Sequence, residues 1–126
     1  MYPELSSAPR ILVVEDDALV RRTLVRELRD IGELLQAEDA REALVTAQSS
    51  RLDLIVSDCE MPGMRGIELL KKMREVYPDT LRMLVSGTAD VQEVQQLQAD
   101  GTVQAYLAKP WNGTALRDAV LALLRQ

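Results

Sequence analysis

The chain of 126 residues contains no histidine and no phenylalanine, and it has a single cysteine and a single tryptophan. Each scarcity removes a class of chemistry. Without imidazole there is no histidine general base and no histidine metal ligand. The lone thiol, Cys59, cannot close an internal disulfide and fits a reducing, cytoplasmic setting. Any metal must then be held mainly by oxygen, which points to magnesium, manganese or calcium. Long apolar runs are missing too, and Ile11–Val14 is far too short to span a membrane. Met1–Pro9, with Glu4 and two prolines, does not read as an export signal and is expected to be a flexible tail at 1–9. Positive charge is in deficit: 15 Lys and Arg stand against 20 Asp and Glu, for a net charge of −5. That sign repels a phosphate backbone and argues against direct nucleic-acid binding.

What is present is an ordinary globular mixture, 47% hydrophobic and 28% charged, of a length that suits one domain over 10–126. Five short apolar runs recur at Ile11–Val14, Leu34–Ala37, Leu54–Val56, Leu81–Val85 and Val103–Leu107. The first, third and fourth are almost continuously apolar, as strands buried on both faces of a parallel sheet should be. Helical stripes separate them: Val20, Leu24, Leu28, Ile31; then Ala43, Leu44, Ala47 behind a capping Asp39; then Ile67, Leu70, Met73, stopped before Pro78. The fourth stripe, Val91, Val94, Leu97, is thin among four glutamines and predicts the least anchored helix. The fifth is strong, with Leu116, Ala119, Val120, Leu123 and Leu124 after a start signal at Asn112–Thr114. Strand–helix repetition of this kind predicts an open, doubly wound α/β sheet with helices on both faces.

In such sheets ligands bind beyond the carboxyl ends of the strands. The strand ends here are Glu15-Asp16-Asp17, Ser57-Asp58, Ser86-Gly87 and Lys109-Pro110. Taken singly, each has a plain structural reading. Asp17 caps the first helix; Glu15 and Asp16 form a solvated acidic turn; Asp58 is a turn residue before Met61-Pro62-Gly63; Ser86 and Lys109 belong to loops. Taken together, they fall on one edge in order, and the odds change. Three ionised carboxylates, Glu15, Asp16 and Asp58, carry a formal −3, which the Lys109 ammonium and one divalent cation bring to zero. That is the charge pattern of a hard cation held beside a phosphoryl group. There Asp58 is placed to attack phosphorus, with the metal and Lys109 withdrawing charge from the equatorial oxygens.

The strings ILVVEDD (11–17), DLIVSDCEMPGM (53–64), LVSG (84–87) and YLAKP (106–110) resemble the receiver domains of two-component response regulators, over nearly the whole chain. The resemblance implies a flavodoxin-like (βα)5 sheet of strand order 2-1-3-4-5 in a cytoplasmic signalling protein of bacterial type. It implies a signalling module rather than an enzyme, assisting only its own phosphorylation and dephosphorylation. Asp58 would be the phosphoacceptor. Asp16 and Asp58 would bind Mg2+ (or Mn2+) directly, Glu15 through water, with the backbone carbonyl of Glu60 as a further ligand. Ser86 and Lys109 would hold the phosphoryl group, and Tyr106 would be the aromatic switch that follows the hydroxyl. Lys109-Pro110 is commonly a cis peptide in this family. Arg65 departs from the pattern, standing where many members have Asp.

The implied partners are a sensor histidine kinase or histidine phosphotransfer protein, which supplies the missing histidine in trans. An output domain C-terminal to this segment and a phosphorylation-dependent homodimer are further expectations, with signalling through the face of helix 4, strand 5 and helix 5. Two other readings compete. One is a phosphorylation-independent pseudo-receiver acting only through its surfaces. The other is a flavodoxin-like FMN protein, which the acidic loop Glu15-Asp16-Asp17 disfavours because it repels the cofactor phosphate.

Overall fold

A computed structural model describes residues 8–125. Strands and helices alternate in the order β1 (Arg10–Val14), α1 (Ala18–Leu28), β2 (Glu33–Ala37), α2 (Ala40–Ser49), β3 (Leu54–Asp58), α3 (Gly66–Val76), β4 (Leu81–Ser86), α4 (Val91–Ala99), β5 (Ala105–Ala108) and α5 (Ala115–Leu124). All pairings are parallel, in the order β2-β1-β3-β4-β5, so the expected doubly wound fold is the observed one. The chain steps outward from β1 to β2 and then returns to β3 on the other side. That reversal opens a crevice at the carboxyl ends of β1 and β3.

Alternation along the strands makes two cores. Leu12, Val14, Ile55 and Leu84 pack with the apolar faces of α2 and α3, joined by Leu97 of α4. Ile11, Val13, Leu54, Val56, Met83 and Val85 pack with Leu24 and Leu28 of α1 and with Leu116, Val120 and Leu123 of α5. The central strands are buried almost throughout, whereas β2 and β5 at the edges are only partly covered.

Local differences from the sequence expectation have physical causes. Residues 1–7 of the expected tail lie outside the described residues; the carbonyl of Pro9 accepts from Glu33 N at 2.8 Å, joining it to the start of β2. The last strand begins at Ala105 rather than Val103; just before it the Gln104 side chain accepts from the Arg82 backbone N–H at 2.7 Å, and the Gly101 and Thr102 carbonyls accept from the Arg82 guanidinium. Val103 is nonetheless buried in the core. Val91, expected on the buried stripe of α4, is 69% exposed, which leaves Val94 and Leu97 to anchor that helix. Asp39 caps α2 as expected, accepting from Glu42 N at 2.8 Å.

Candidate functional site

The crevice is built from the last residues of three strands and the turns that follow them. β1 delivers Glu15, whose backbone N–H still pairs with Ala37 of β2 at 3.1 Å, so its position is fixed by the sheet. Asp58 is the final residue of β3, directly in register with Val85 of β4. Lys109 follows β5, held by its N–H to the Ser86 carbonyl at 3.0 Å, and the Lys109-Pro110 peptide is cis.

One oxygen from each of Glu15, Asp16 and Asp58 lies within 4.8 Å of the others. Glu15 and Asp58 are buried and Asp16 is exposed, so the cluster opens to solvent on one side. The Lys109 ammonium bridges the two buried acids, at 2.7 Å from Glu15 Oε1 and 3.2 Å from Asp58 Oδ1. Asp17 stays out of the cluster. It takes the capping role weighed above, accepting from the N–H groups of Leu19 and Val20 at 2.9 and 3.2 Å.

Burial sets the electrostatics of this pair. It pushes the Glu15 carboxyl up from 4.5, further than the Lys109 hydrogen bond pulls it down, and the nearby Asp58 charge adds to the rise. For Lys109 burial acts first to lower the ammonium, but Glu15 and Asp58 outweigh it and hold the group above 10.5. Lys109 is thus a fixed cation, while the acids remain in excess of it by a formal two charges. The donors are all oxygen, which suits a hard divalent cation and fits the magnesium or manganese expected from the sequence.

Ser86 ends β4 fully buried, and its hydroxyl accepts from Thr88 N at 3.1 Å. Its carbonyl accepts from the Tyr106 hydroxyl at 3.0 Å, so the expected switch pair is already in contact through the backbone. The Glu60 side chain does not join the carboxylate cluster; it turns to Arg65 Nη2 at 3.6 Å. Beside Lys109 an apolar groove of about 310 Å³ runs between Val20, Thr23 and Glu27 of α1 and Pro110-Trp111.

One residue that shapes the site escaped the sequence reading. Gly66 lets the start of α3 cross directly over the end of β3: a Cβ built there would lie 1.8 Å from the Asp58 carbonyl oxygen. No motif in the sequence announces this, because the contact is created by the return of α3 over the sheet.

Comparison with known proteins shows the family. The family model described as "Response regulator receiver domain" matches residues 11–121. The chemotaxis protein CheY of Pseudomonas aeruginosa is 33% identical over 114 residues, covering 88% of this chain and 92% of that one. The hydrogenase transcriptional regulatory protein HoxA of Bradyrhizobium diazoefficiens is 31% identical over 110 residues. There the match covers 87% of this chain but 23% of the relative. Among solved structures, the chemotaxis response regulator CheY4 of Vibrio cholerae superposes with a TM-score of 0.83 at 32% identity, covering 93% of this chain and 99% of that one.

Proposed function

The chain belongs to the family of response-regulator receiver domains of two-component systems, and we propose that Asp58 is its phosphoacceptor, fed by a phosphohistidine on a kinase or phosphotransfer protein. The observation that carries this reading is the Lys109 ammonium bonded to both Glu15 and Asp58 beside an open acidic cluster. In the transfer, an Asp58 carboxylate oxygen forms a bond to phosphorus as the donor's P–N bond breaks, and the electron pair leaves with the imidazole. Lys109 stays protonated and faces the equatorial oxygens of the phosphoryl group. Glu15, Asp16 and Asp58, with the Glu60 carbonyl, would hold Mg2+, which when bound neutralises charge on the transferring group. Glu15 keeps Lys109 aimed.

Once formed, the acyl phosphate adds charge and acceptor oxygens next to β4. The Ser86 hydroxyl exchanges its contact with Thr88 for one with the phosphoryl group. Tyr106, tied to the Ser86 carbonyl, follows, and the face of α4, β5 and α5 repacks. That face then serves self-association or an output domain. The domain acts as a switch and not as an enzyme on other substrates.

Acetyl phosphate with Mg2+ should label the wild-type protein and leave Asp58→Ala unlabelled. Equal labelling of the two would assign the nucleophile elsewhere. Magnesium should titrate the fluorescence of Trp111, the residue after Pro110; a protein that binds no magnesium would favour the surface-only module.

A further inference from the structure

Helix α4 is lightly anchored, and its polar ties are concentrated at its carboxyl end. Val94 and Leu97 are its buried side chains, against five buried residues in α3. Its carboxyl end is fixed, because Val103 N donates to the Leu97 carbonyl at 3.1 Å and Arg82 holds the carbonyls of Gly101 and Thr102 just beyond. Its amino end is different. Beyond its own cap at Asp90, the polar side-chain tie from α4 to another element among the described residues is Glu93 Oε1 to Arg65 Nη2, at 3.8 Å.

The same nitrogen of Arg65 lies 3.6 Å from Glu60 Oε1 and 3.6 Å from the sulfur of Cys59. One guanidinium therefore spans from the two residues that follow Asp58 to the first turn of α4. It also separates two carboxylates that would otherwise repel across the gap. A half-exposed ion pair of this type is a weak interaction on a well-packed element. On a helix end held otherwise by its Asp90 cap and the buried Val94, a weak tie still contributes to the position.

We propose that Arg65 is a positioning residue that straps the loop after Asp58 to the first turn of α4. A shift or a new charge in that loop then reaches α4 directly, in parallel with the path through Ser86 and Tyr106. The strap itself stands independently of the phosphoacceptor assignment; its part in signalling rests on that assignment.

Amide hydrogen exchange on the intact, unphosphorylated protein tests the strap. Arg65→Ala should speed exchange across 91–99 by about threefold, the scale expected for an exposed pair. Glu93→Ala should also speed it, and the double variant should exchange no faster than the more affected single variant. Arg65→Lys, which keeps the charge, should stay near wild type. Unchanged exchange in Arg65→Ala, or single effects that simply multiply in the double variant, would overturn the strap. A second arm tests the signalling role. Labelling with acetyl phosphate should alter α4 exchange less in Arg65→Ala than in wild type, and an equal response in both would overturn that role. Should wild type itself not label, the phosphoacceptor assignment fails, while the exchange cycle still judges the strap.

Discussion

Lys109 at the carboxyl edge of the sheet and Arg82 at its amino edge are both cations drawn out of solvent, yet their surroundings differ in kind. Lys109 faces two carboxylates, which hold its ammonium above its ordinary value. Arg82 is buried among carbonyls: its guanidinium donates to Thr102, Pro78, Thr80 and Gly101 at 2.6–3.2 Å, with no carboxylate partner among the described residues. Burial, and then the charge of Arg74, pushes Arg82 down. Carbonyls cannot be protonated, phosphorylated or neutralised by a metal, so the amino edge is a fixed staple. Carboxylates can be altered in all three ways. The same sheet thus carries a permanent cation site at one end and a resettable one at the other.

The largest effect should come from breaking the staple. Arg82→Ala takes the donor from the carbonyls of Pro78, Thr80 and Thr102, while Gly101 keeps Gln104 Nε2, and should cost roughly 3 kcal/mol of stability in urea denaturation. Arg82→Lys should recover part of it. Neither should change magnesium affinity in the folded protein, since the two edges are separate.

Gly66→Ala comes next, because its methyl group would collide with backbone rather than with a flexible side chain. A loss of about 2 kcal/mol is expected in the same assay. Unlike the Arg82 variants, it should also slow labelling of Asp58, because relief requires the end of β3 or the start of α3 to move.

At the resettable edge the sign reverses. In metal-free protein, Asp58→Asn relieves the carboxylate excess and should raise stability by about 1 kcal/mol. Magnesium should then stabilise the variant less than it stabilises wild type. A destabilised Asp58→Asn protein would mean that Lys109 needs the Asp58 charge more than Glu15 and Asp16 resent it.

The smallest effect concerns alkaline pH. The folded-state value of Lys109 lies above its unfolded 10.5, so its stabilising contribution is complete below 10.5 and is lost as pH rises through the folded value. The stability gap between wild type and Lys109→Met should accordingly shrink in that window. A gap that stays constant to higher pH would show that the lysine acts through its hydrocarbon chain.

The resettable edge was more legible in the sequence than the fixed one. Parallel strands buried on both faces read as apolar runs, and their ends mark where ligands collect, so Glu15, Asp16, Asp58, Ser86 and Lys109 could be named without coordinates. Arg82 gave no such signal, since one arginine inside Leu81–Val85 looks like a solvent-facing interruption. Its burial depends on two loops closing over it, one just before β4 and the other after α4, which only the fold brings to the same side chain. Gly66 and the span of Arg65 were hidden for the same reason, being set by how α3 and α4 return over the sheet. Val91 shows the converse error, an apolar residue at helical spacing that the short α4 leaves in solvent.

The central claim is that Asp58 is the atom-level address of the switch. Peptide mapping by mass spectrometry after labelling with acetyl phosphate and Mg2+ tests it most directly. An acyl phosphate is expected in the peptide containing Asp58, absent when magnesium is chelated. A phosphoryl group mapped to any other peptide, or labelling that ignores magnesium, would contradict it.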